Sequence, residues 1–142
     1  MIVHPAVIVH GVADAAAALA PGLPVTLLSA PGAALYAGCL WWREMVAAAC
    51  ARHKHTTAHE HANAIDILDC ADASGQAMGA LRSGVFRLVL WPDAPGWDAV
   101  ASIAQRQGGF VVAQAPVALD LAERNAIRRL HGWLRASGPE GG

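Results

Sequence analysis

The chain has 142 residues, enough for one domain with a sizeable core and hardly enough for two. Its 55% hydrophobic and 15% charged content, against about 25% charged in average domains, excludes intrinsic disorder. A net charge of −1 excludes a nucleic-acid binder that works by neutralising phosphates.

In chain order, the first apolar run, residues 6–10, reads as a strand, and residues 12–20 read as a helix stopped by Pro21-Gly22. A second strand over 25–29 leads to the longest apolar stretch, a helix over 33–52. Arg43 and Glu44 interrupt that helix at its centre, which excludes a membrane span. A third strand covers 65–70, followed by a helix over 75–81 that stops at Ser83-Gly84. The fourth strand, 86–91, precedes a helix over 97–107 that stops at Gly108-Gly109. The fifth, 110–114, precedes a last helix over 117–136. Residues 137–142 are expected to form a disordered tail.

Strand–helix alternation with short, continuously apolar strands predicts an α/β fold. The expected form is a single three-layer α/β/α domain over residues 1–136, built on a five-stranded parallel sheet. Asp66 and Asp69 make the third strand the most polar and suit it to an edge. That favours the Rossmann-like order 3-2-1-4-5, with the flavodoxin-like 2-1-3-4-5 as the alternative.

No GxGxxG, P-loop or GxSxG motif is present, so no reaction, catalytic residue or cofactor follows from a motif. Ligands of open parallel sheets bind outside the carboxyl ends of the strands. Those ends carry His10, Ser29, Asp72, Ser74, Gly75, Asp93 and Gln114, which nominates a site for a small, in one version anionic, ligand. His10 with Asp72 or Asp93 would make an acid–base pair. Side-chain capping and turn formation are the commoner uses of the Asp and Ser residues.

The segment Arg52-His53-Lys54-His55-Thr56-Thr57-Ala58-His59-Glu60-His61 offers a weak metal set in His55, His59 and His61. It joins a helix to the next strand and should lie at the amino edge, so an exposed loop is the expectation and no metal site is assigned. Cys39, Cys50 and Cys70 show no CxxC spacing and read as buried, reduced thiols. A start without Lys or Arg lacks a signal peptide's charged region, and a cytoplasmic protein is expected. The helix over 33–52 has two apolar faces and three charges. One face is expected to pair with a second copy through Gly38, Trp41 and Met45, giving a homodimer. A non-catalytic interaction module built on that helix is therefore the competing reading of function.

Overall fold

Short runs of aliphatic and β-branched residues form six strands among the described residues: β1 (Ala6–Ile8), β2 (Val25–Leu28), β3 (Ala64–Asp69), β4 (Arg87–Val89), β5 (Phe110–Val112) and β6 (Ala118–Asp120). Six helices lie between or after them, α2 and α3 in succession and none between β5 and β6: α1 (Val12–Leu19), α2 (Ala33–Tyr36), α3 (Cys39–Arg52), α4 (Ser74–Arg82), α5 (Trp97–Arg106) and α6 (Ala126–Ala136). The computed structural model describes residues 4–52 and 64–136. The strands form one all-parallel sheet in the order β5-β4-β3-β2-β1-β6. Contacts among the described residues cluster into two units, one built on Ser29–Arg43 and Ile67–Ala115, the other on residues 4–28, 44–52, 64–66 and 116–136.

The α/β parallel fold agrees with the sequence reading, whereas strand number and order do not. The sixth strand comes from residues read as the start of the last helix. Leu119 is buried there by pairing with β1, in the register Ala6↔Ala118 and Val7↔Leu119. A turn containing Asn125, in the left-handed region at φ 63°, then separates strand from helix. Strand β3 lies inside the sheet rather than at its edge. Burial of Asp69, 3% exposed, is tolerated because its Oδ1 accepts the Ala71 amide at 2.8 Å.

The long second helix is broken. Gly38, at φ 89°, ends α2 in a conformation that favours glycine, and α3 starts anew at Cys39. Trp42, Met45, Val46, Ala49 and Cys50 of α3 are buried, while Leu35 of α2 is exposed.

In the second unit, Val7, Val25 and Leu27 are buried beside Ala15, Ala18 and Leu19 of α1 and Leu130 and Leu134 of α6. Trp133 Nε1 donates to the Ala6 carbonyl at 2.8 Å and ties α6 to β1. In the first unit, Leu68, Leu88 and Val89 are buried, as are Ala77, Ala80 and Leu81 of α4 and Val100 and Ala104 of α5. Trp97 Nε1 donates to Leu90 O at 2.6 Å and fixes the start of α5. No helix among the described residues is long and apolar enough to cross a membrane.

Candidate functional site

Within the second unit the order β2-β1-β6 contains a reversal. The chain leaves β1 for β2 on one side, and β6 joins β1 on the other. Ligands of open parallel sheets favour the carboxyl ends of strands at such a reversal. His10 follows β1 at this point, and Asp120, the last residue of β6, lies opposite Ile8. His10 Nε2 and Asp120 Oδ1 are 2.6 Å apart, with side chains 37% and 30% exposed. A carboxylate only accepts, so Nε2 carries the hydrogen and Nδ1 is the acceptor of the neutral ring.

Two backbone contacts hold the pair in place. Asp120 Oδ1 also accepts the Ala122 amide at 2.9 Å, in a turn that returns the chain towards α6. The His10 amide donates to Asp14 Oδ2 at 2.9 Å, so the first turn of α1 fixes the His10 backbone. Asp14 also lies near the positive end of α1, where a carboxylate is favoured.

Burial pushes the Asp120 carboxyl up, but the Ala122 amide and the hydrogen bond and charge of His10 together hold it below its ordinary value. A lowered folded value means that the folded protein binds fewer protons at Asp120 than the unfolded chain does. The stabilisation is therefore complete above the unfolded value of about 3.9 and is lost as pH falls through the folded one. From about pH 5 downwards, the difference in urea midpoint between wild type and Asp120→Asn should shrink towards zero. A difference that grows below about pH 5 would contradict this sign.

The other nominated residues lie in the first unit. Ser29 is buried; its Oγ accepts the Asp69 amide at 2.9 Å and donates to Ala30 O at 3.1 Å, so it joins the ends of β2 and β3. Ser74 donates to the Pro95 carbonyl and, with the Trp91 amide on Ala71 O at 2.8 Å, ties the loops after β3 and β4 together. Asp72, Gly75, Asp93 and Gln114 are exposed. The acidic partners that the structure gives His10 are Asp14 and Asp120, neither of which the sequence nominated. Asp14 was legible as a helix-start carboxylate four residues on. Asp120 was not, because its role depends on β6 lying beside β1.

Burial, then Asp69 and then Cys39, push the Cys70 thiol up to about 12, so it stays protonated at neutral pH. Burial and then Asp66 raise Cys50. Among the described residues, no group of three or more His, Cys, Asp or Glu is placed to hold a metal ion. His55, His59 and His61 lie outside the described residues. No protein-family model, curated protein or solved structure matches the chain.

Proposed function

We propose that this protein binds a small polar molecule at the carboxyl ends of β1 and β6 and exchanges a proton with it through His10. The observation that carries the reading is the His10–Asp120 contact of 2.6 Å at the strand reversal. Asp120 holds the ring in one tautomer and stabilises the imidazolium formed when Nδ1 takes a proton. Asp120 on the His10 imidazole and Asp14 on the His10 backbone amide bring two carboxylates to this strand end, which favours a neutral or amine-bearing ligand over the anionic version.

A titration of small alcohols, amides and amines followed by amide NMR tests it. At least one compound class should shift the Gly11 and Ala122 signals saturably, and its affinity should fall about tenfold or more in His10→Ala and Asp120→Asn. Compounds that bind while leaving those two amides unmoved, or that tolerate both changes, would refute the assignment.

A second reading, self-association, is supported by a separate observation. Tyr36 is 71% and Leu40 56% exposed, with Leu35 and Trp41 also exposed on α2 and the first turn of α3. The stretch from Pro31 to Trp42 carries no charged side chain, so the patch matches a second copy of itself better than a charged partner. Met45 is buried within the chain, which moves the centre of such an interface towards Leu40 and Trp41. Light scattering should show a wild-type dimer and a folded Leu40→Glu monomer, since an unpaired charge at an interface centre is not desolvated without a large penalty. A wild-type chain that stays monomeric at high concentration defeats this reading.

A further inference from the structure

A cavity of about 430 Å³ lies in the second unit, and neither His10 nor Asp120 lines it. Val117, Ala118 and Leu119 form one wall, with Arg129, Gly132 and Trp133 of α6 opposite. Successive residues of a strand point to opposite faces, so a space touched by both Ala118 and Leu119 of β6, with Val117 just before it, runs along the strand's edge. Strand β6 is an edge strand. Leu121 N donates to Ile8 O, which directs the odd-numbered backbone groups towards β1 and turns those of Ala118 outward.

The dimensions suit a small molecule. The volume falls in the range of about 300–1,000 Å³ common for such sites. An edge of three residues is too short to template an added strand well. Gly132 contributes directly to the space. A Cβ built there meets no atom within 4 Å, so the missing side chain widens the cavity instead of relieving a contact.

The charged side chains that line the cavity are Arg129 and Glu123. Helix α6 carries three arginines and no carboxylate. Arg129 Nη2 holds the Glu123 carboxylate at 2.7 Å, which shows a carboxylate fitting this guanidinium at the rim. The fork has five N–H donors, and this contact engages only one nitrogen. Trp133 supplies an aromatic wall whose own N–H is satisfied by Ala6 O.

We propose that this cavity binds a small apolar monocarboxylate, with the carboxylate on Arg129 and the apolar body against Trp133, Val117 and Leu119. The site is separate from the β1–β6 mouth and does not rest on its function.

Calorimetric titration of the full chain with decanoate, and with decanol as the uncharged control, tests the proposal. Decanoate should bind saturably, and decanol about tenfold more weakly or less. Gly132→Leu fills the cavity and raises helix propensity, so the variant should remain folded by circular dichroism yet lose about tenfold or more in decanoate affinity. Arg129→Gln should bring decanoate down to the level of decanol, while His10→Ala should bind decanoate as wild type does. The proposal is overturned by absence of saturable decanoate binding below about 1 mM, by equal binding of decanol, or by a Gly132→Leu variant that binds like wild type. Loss of binding in His10→Ala would also overturn it, by moving the site to the mouth.

Discussion

Gly109→Ala is expected to destroy the pairing of β4 with β5 and to leave little folded protein. A Cβ at 109 would sit 1.8 Å from the Phe86 carbonyl oxygen and 2.6 Å from its carbon, both backbone atoms that no rotamer change can move. The chain is pinned on both sides of the clash. Gly109 N donates to Ala104 O at 2.8 Å, and Phe110 N donates to Phe86 O at 2.9 Å. Relief therefore requires giving up the end of α5 or the start of β5. Such a loss belongs in the tail of point-mutation effects above about 4 kcal/mol, a large share of a typical stability of about 5–15 kcal/mol. The neighbouring Gly108→Ala provides the contrast. Gly108 has φ 89° and an open surrounding, so its cost is the left-handed conformation alone, about 1–2 kcal/mol. Urea midpoints of the two variants, with soluble yield where Gly109→Ala cannot be purified, decide the matter. Equal effects at 108 and 109 would show that the approach to Phe86 is not the constraint.

Trp42→Ala is the second large effect, at about 3–5 kcal/mol. Its side chain is 0% exposed and heads the largest fully buried side chains of the described residues. Alanine is the better helix former, so the loss would come from packing and the cavity left behind, not from α3 itself. Trp41, one residue earlier and 37% exposed, has its ring centroid 6.0 Å from that of Trp42. Trp41→Ala gives up part of that ring contact, worth about 0.5–1.5 kcal/mol, and little buried area. Thermal or urea unfolding should separate the two variants by about 1.5 kcal/mol or more. Indistinguishable variants would mean that the helix does not present Trp42 to the core as described.

Much of the architecture can be read from local signals. Val25-Thr26-Leu27-Leu28 lacks the alternation of a half-exposed strand because every one of its residues is buried, as in a parallel sheet covered on both faces. The glycines at 84 and 108 take positive φ just beyond α4 and α5, and their sequence positions mark those ends. His10 was legible as a strand-end residue for the same reason: a short apolar run stops there and Gly11 opens the next helix.

What the sequence by itself determined is the α/β class, because hydrophobic patterning and backbone preference are properties of neighbouring residues. Patterning reports burial and is silent about which strand lies alongside. Asp69 shows the consequence: two aspartates made β3 look like an edge, yet the Ala71 amide satisfies the buried carboxylate and allows an interior place. Residues 117–120 show another, since the same four residues suit a helix start until β1 offers backbone partners and buries Leu119. Only the tertiary structure decided that β6 adds beside β1, and with it that Asp120 meets His10 across 110 positions of sequence. The free energy of that arrangement lies in pairing and burial between distant segments, which no local window of the chain contains.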